Sequence, residues 1–152
     1  MNLQFSGNEV ISRSKTDVWN FVNDSNSVAP CLPDVIDYQI KDEHHFDATV
    51  GVAVGPVRGK FKFKIEIDPQ SDGEHVNLNI SGGALGSVVD VAADADITGD
   101  TTSTALDWNA TASVRGPVAT VGGRVLQTQA QRIIGATFSN IKTQLSNRTT
   151  AS

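Results

Sequence analysis

Cysteine is nearly absent from this 152-residue chain: Cys31 stands alone, which excludes an intrachain disulfide framework and any zinc site built from several thiolates. Nothing here asks for an oxidising compartment, and a reduced, cytoplasmic setting is expected. Long apolar runs are missing too. No window approaches the ~20 apolar residues of a membrane span, and Met1 to Gly7 shows no basic segment followed by an apolar core, so neither a spanning helix nor a secretory leader is expected. A basic surplus is the third absence. Twelve Lys and Arg against 17 Asp and Glu give a net charge of -5, which argues against nucleic-acid binding, where cations neutralising phosphates supply most of the affinity. Proline, finally, is absent from Val121 to Leu145.

That proline-free stretch carries large apolar residues at three- and four-residue spacings, which predicts one long amphipathic helix. At about 100° per residue, Leu126, Ala130, Ile133, Ile134, Thr137, Phe138, Ile141 and Leu145 share one arc, with Arg124, Arg132, Ser139 and Lys142 opposite. The arc must be covered, and nearly everything before it alternates with period two, so the expected partner is a sheet curved around this single helix. Ala130 and Thr137 are small and Gln127 is polar, so the arc leaves either close packing or a void beneath that sheet.

Upstream, Leu3 to Ser12 reads as a first strand, and Ser14 with Asp17 three residues on is a capping-box pattern opening a short helix through Val18, Trp19, Phe21 and Val22. Asp24 to Ser27 is read as a break, and Val28 to Leu32 as one further turn before Pro33 forces extension. Strands follow over Val35 to Ile40, Phe46 to Val54, Val57 to Ile67, Val76 to Ile80, Leu85 to Ile97 and Ala105 to Val114. The separators, among them Gly55-Pro56 and Gly82-Gly83, are of hairpin length, which makes every pairing antiparallel. The expected class is α+β: about seven antiparallel strands, two short helices after the first strand, and a long closing helix. A chain of this size fits one domain, residues 1–147, with a disordered end at 148–152, and buries roughly 70% of its unfolded surface.

Alternation assigns faces. Phe61, Phe63, Ile65 and Ile67, then Val89, Val91, Ala93 and Ala95, then Leu106, Trp108, Ala110 and Ala112 each share a side and should face the helix. The other side is wet and carries Asp90, Asp94 and Asp96 and a basic stripe of Arg58, Lys60, Lys62 and Lys64. That stripe reads as the solvated face of a half-buried strand; its alternative is contact with an acidic partner or with anionic membrane headgroups.

Strand, two short helices, six antiparallel strands and a closing helix is the helix-grip arrangement of lipid-transfer domains and birch pollen allergen. Phe5-Ser6-Gly7, Val18-Trp19, Val28-Ala29-Pro30-Cys31-Leu32-Pro33, Gly55-Pro56-Val57-Arg58-Gly59-Lys60-Phe61 and Val121-Gly122-Gly123-Arg124 together resemble the G-subunit family of carbon monoxide dehydrogenase. The resemblance covers almost the whole chain. It implies an accessory protein serving a molybdenum hydroxylase of the carbon monoxide dehydrogenase type at the membrane, and it implies no catalysis. Many members continue into an apolar tail, and that tail-borne anchor is not carried over to Asn147 to Ser152.

The residues themselves offer little chemistry. His44 and His45 lie in a turn and point to opposite faces, His75 sits beside another turn, and the three aspartates form a line that does not converge on a cation. Cys31, in an apolar turn, reads as a small buried hydrophobe, and Gly82 to Gly86 lacks the strand-to-helix setting of a phosphate loop. The expected site is instead an apolar pocket under the helix, lined by Trp19, Leu32, Phe61, Phe63, Val89, Trp108, Leu126, Gln127, Ala130, Ile133 and Thr137, with Gln127 and Thr137 as polar handles. The preferred function is non-catalytic binding of a quinone- or lipid-like molecule, without a cofactor or metal. Two rivals stand beside it: a cyclase- or dehydratase-like enzyme, and a docking module with a filled core.

Overall fold

The computed structural model describes residues 1–148. The chain runs β1 (Asn2–Ile11), α1 (Lys15–Val22), α2 (Ser25–Val28), a 3-10 turn (Ala29–Cys31), then β2 (Val35–Asp42), β3 (His45–Val54), β4 (Val57–Pro69), β5 (His75–Ala84), β6 (Ser87–Gly99) and β7 (Thr104–Arg115). A second 3-10 turn (Pro117–Val121) leads into α3 (Gly123–Asn147). All seven strands form one antiparallel sheet in the order β1-β7-β6-β5-β4-β3-β2. Strands β1 and β2 are therefore its two edges, and α1 and α2 bridge them in sequence.

Local chemistry places the helices. The Ser14 hydroxyl accepts the Asp17 backbone N–H at 3.1 Å and opens α1. Asp24 to Ser27, expected to be a break, instead starts a second helix: Asp24 accepts the Asn26 backbone N–H at 3.1 Å, and the Ser27 hydroxyl donates to its other oxygen at 2.9 Å. A carboxylate ahead of a short polar run ends one helix and caps the next. At the other end of the chain, Val121 belongs to the 3-10 turn rather than to the long helix, because Gly122 takes φ 98° and resets the backbone before Gly123.

The β5–β6 hairpin also differs from expectation. Gly82 and Gly83 are paired strand residues, and the turn is Leu85-Gly86. A Cβ on Gly82 would strike the Lys62 carbonyl and one on Gly83 the Ser87 carbonyl, so these glycines let the strand bend against its neighbours rather than end.

Cross-strand partners share a face, and the inner face is as the alternation assigned it. Its packing is uneven. One buried cluster joins Ile11, Val18, Phe21, Cys31, Phe46, Ile65, Ile67, Ile97 and Leu106 to Ile141 and Leu145. A separate one joins Leu3, Val54, Val57, Phe61, Ala112, Val114 and Val118 to Leu126. Helix α3 thus seats through its two ends. Leu126 and Ile141 are 15 residues apart, about 22 Å of helix at 1.5 Å per residue, and between them no α3 residue is buried.

Candidate ligand groove between sheet and helix

Between the two clusters the inner face stays partly accessible. Phe5 of β1, Phe63 of β4, Val89, Val91, Ala93 and Ala95 of β6, and Trp108 and Ala110 of β7 are all half-buried although they point toward α3. Opposite them on the helix, Gln127, Ala130, Ile134 and Phe138 are half-buried too. Phe63 borders both clusters, which places it at the centre of this hollow. The walls are apolar and small: alanines of β6 and β7 sit side by side, Ala93 opposite Ala110.

Polar character enters at Gln127 of α3, at Glu9 of β1, which pairs with Lys142 at 3.0 Å, and at one further atom. The indole nitrogen of Trp108 is buried and has no hydrogen-bond partner. Its ring lies against Gly7, where a Cβ would meet ring atoms at 2.8 Å, and its centroid is 5.8 Å from that of Phe138. Gly7 is what permits this seating, since any side chain there would occupy the space of the indole.

The expected site residues fall into groups. Phe63, Val89, Trp108, Gln127 and Ala130 belong to the hollow. Phe61 and Leu126 are buried in the cluster that closes one end of it, whereas Trp19 and Leu32 pack against the cluster at the other. Ile133 is 39% exposed, at the edge of the inner arc, about 100° around the helix from the half-buried Ile134. Thr137 is half-buried, but its hydroxyl already donates to the Ile133 carbonyl of its own helix at 2.7 Å, so it has no proton left for a ligand. Val91, Ala93, Ala110 and Phe138 were not among the expected site residues, although the period-two and helical patterns had already placed them inward.

The remaining candidates are surface or core. Cys31 is fully buried, donates to the Ser27 carbonyl at 3.4 Å, and has its thiol pKa pushed up by burial. His45 lies exposed between Asp42 (2.8 Å) and Glu66 (3.1 Å), whose hydrogen bonds raise its pKa. His75 is held likewise by Asp72 and, at 2.9 Å, Asp96. Among the described residues no cluster of three or more His, Cys, Asp or Glu side chains could hold a metal, and no helix is long and apolar enough to cross a membrane. Arg58, Lys60, Lys62 and Lys64 are exposed on the outer face. Lys62 and Lys64 border open depressions there of about 710 and 920 Å³, with Lys64 common to both.

An antiparallel sheet gripping one long helix defines a helix-grip protein. Residues 7–146 match the family described as the G subunit of carbon monoxide dehydrogenase (CoxG), and the chain belongs to that family. Comparison with curated proteins gives no match. Among solved structures, a conserved protein from Geobacillus kaustophilus is similar at 23% identity over 95% of each chain, with a TM-score of 0.84. A START superfamily protein from Mycobacterium smegmatis shares 12% identity over 96% of this chain and 99% of its own, with a TM-score of 0.73. The Zhui aromatase/cyclase from Streptomyces sp. R1128 shares 13% over 99% and 98%, with a TM-score of 0.70. At these identities the likeness is one of fold.

Proposed function

We propose that this protein is a non-catalytic carrier of an apolar small molecule bearing a carbonyl or similar acceptor oxygen, a quinone- or lipid-like compound, held between the sheet and α3. The observation that carries this reading is the orphaned Trp108 N–H beside a half-accessible apolar face. A buried donor without an acceptor costs roughly 1–3 kcal/mol, a cost a ligand oxygen removes once a small shift of the indole or of Phe138 uncovers the N–H. A flat ring and tail withdrawing about 300 Å² of apolar surface from water gains on the order of 7 kcal/mol before association entropy, which puts affinity near the micromolar range. Gln127 supplies a second polar contact from α3.

Membership of the family supports a carrier that works beside a carbon monoxide dehydrogenase-type molybdenum hydroxylase, and the Arg58, Lys60, Lys62 and Lys64 stripe is the surface offered to an acidic face of that enzyme. A cyclase-like role would need a free ionisable group in the hollow; the ionisable side chains nearest to it among the described residues, Glu9 and Lys142, are paired with each other at 3.0 Å. Calorimetric titration with an isoprenoid quinone tests the reading: wild type binds saturably, and Trp108→Phe stays folded with affinity reduced by up to about ten-fold, the worth of one hydrogen bond. Absence of saturable binding to wild type, or an unchanged Trp108→Phe, defeats it.

A further inference from the structure

Helix α3 is clasped from both edges of the sheet, and the two clasps differ. Lys142 pairs with Glu9 of β1 at 3.0 Å beside Ile141, where the helix is already seated in a buried cluster. Arg132 pairs with Asp34, just ahead of β2, at 2.8 Å, in the stretch where no α3 residue is buried. Among the described residues this is the one side-chain hydrogen bond or ion pair that joins residues 127–139 to anything outside α3. Thr128 and Thr137 bond within the helix, and Gln129 accepts from the Arg132 Nε at 3.3 Å.

Asp34 is set in place by its backbone. Pro33 restricts the chain before it, and its φ of 62° is a left-handed conformation that aspartate adopts more readily than most residues. Its carbonyl accepts the Gly51 N–H of β3 at 3.0 Å. Gly51 lies between Val50 and Val52, both half-buried, the first packed against the cluster at the far end of α3 and the second against the cluster at its start. The anchor of Asp34 therefore falls between the two clusters, as the hollow around Phe63 does, and β3 adjoins that hollow through the Phe63–Ala48 and Phe61–Val50 pairs.

We infer that the apolar ligand enters and leaves between residues 34–36 and the middle of α3, and that the Arg132–Asp34 pair is the latch across this opening. The inference rests on the carrier reading above. Parting the pair frees the middle of the helix to lift while both its ends stay seated, which opens the hollow without exposing either core. On the β1 side the same movement is opposed by Lys142 and by the buried Ile141 and Leu145 near it. An exposed pair suits a latch, being worth up to about five-fold in the ratio of closed to open, so that closing does not trap the ligand.

Stopped-flow quenching of indole fluorescence by a short-chain isoprenoid quinone, on the full chain, is the test. Arg132→Gln and Asp34→Asn, the latter keeping a side chain that tolerates the left-handed backbone, should each speed association and dissociation together. The gain should reach about five-fold at an unchanged dissociation constant, whereas loss of a ligand contact would raise the constant through dissociation alone. The double variant should be no faster than either single one, since the pair acts as a unit. Wild type should approach the variants as salt rises, and Arg115→Gln, which breaks an ion pair of the outer face, should exchange ligand like wild type. Hydrogen exchange without quinone gives a second readout: Arg132→Gln should raise exchange across residues 128–136 and leave that around Ile141 and Leu145 unchanged. Saturable binding whose rates neither variant moves, a change in dissociation alone, or unaltered hydrogen exchange in the middle of α3 overturns the latch and leaves the carrier reading standing. No saturable binding by wild type defeats the carrier reading and the latch with it.

Discussion

Two histidines show how a residue's neighbours, rather than its type, decide its role. His45 and His75 each bridge two carboxylates on the outer surface, and hydrogen bonds donated by their rings to Asp42 and Asp72 raise their pKa values above the ordinary 6.5. The partner Asp42 and Asp72 carboxyls are lowered from 3.8, Asp42 chiefly by His45 and Asp72 chiefly by the Glu74 backbone N–H, then by His75. A raised histidine stabilises the fold fully below its unfolded value and loses that contribution as pH climbs through the folded one; a lowered aspartate contributes above its unfolded value and loses it as pH falls. The double variant His45→Gln/His75→Gln should therefore have a lower urea midpoint than wild type at pH 5.5, and the gap should close by pH 8.5 (both values about one to two units from the ordinary histidine pKa). A gap independent of pH would show that the charged imidazoles contribute nothing. The effect is small, because exposed pairs are heavily screened. At this scale the sequence was only partly legible. Placing all three histidines near turns was readable; the orphaned Trp108 N–H was not, because it depends on Gly7 lying across the sheet pairing from it. Thr137 can meet a ligand only as an acceptor, for a local reason: a helical threonine can spend its proton on the carbonyl four residues back.

Elements were legible where pattern and packing agree. The hairpin connections follow from turn residues between alternating runs, and the antiparallel order follows from their shortness. Two boundaries moved for physical reasons invisible in composition: Asp24 caps a helix instead of breaking one, and Gly82-Gly83 bends a strand instead of ending it. For α3 the pattern gave a helix but too broad an inner arc, since an arc is drawn by apolarity and burial is set by where the sheet reaches. Leu145 is 1% exposed and Ile133 39%. Leu145→Ala should cost about 2–5 kcal/mol, as large-to-small changes in packed cores do, whereas Ile133→Ala should stay within about half a kcal/mol. Chemical denaturation of the two variants measures this, and similar losses would mean that the middle of α3 is seated as firmly as its end. The far end is also fastened by polar contacts: Asn140 donates to the Cys31 carbonyl at 2.9 Å, Lys142 pairs with Glu9 at 3.0 Å, and Arg148 reaches the Ser27 hydroxyl at 3.0 Å while lying over the Phe21 ring. Arg148 is the first residue of the stretch expected to be disordered; residues 149–152 lie outside those described.

At the scale of the whole molecule the two separate cores matter more than either one. Between the two clusters that hold the ends of the helix, sheet and helix face each other through half-buried side chains, with small residues on β6 and β7, and this stretch is the room proposed for a ligand. One strand carries both environments two residues apart on the same face: Ala112 is 8% exposed within the cluster around Phe61 and Val114, while Ala110 is half-buried beside Phe5 and Ala93. The same substitution should therefore have opposite consequences at the two positions. Ala112→Phe forces a ring into packed surroundings and should destabilise by about 1–3 kcal/mol, the usual result of overpacking. Ala110→Phe places its ring in the hollow, where it gains apolar contacts without displacing neighbours, so the melting temperature should hold or rise while saturable quinone binding disappears. Ala130→Phe enters the same space from the helix and should reproduce the Ala110→Phe phenotype without touching the strand. Should Ala110→Phe destabilise as much as Ala112→Phe, the middle of the grip is packed and no room for a ligand exists. Should it leave both stability and quinone affinity unchanged, the ligand sits elsewhere.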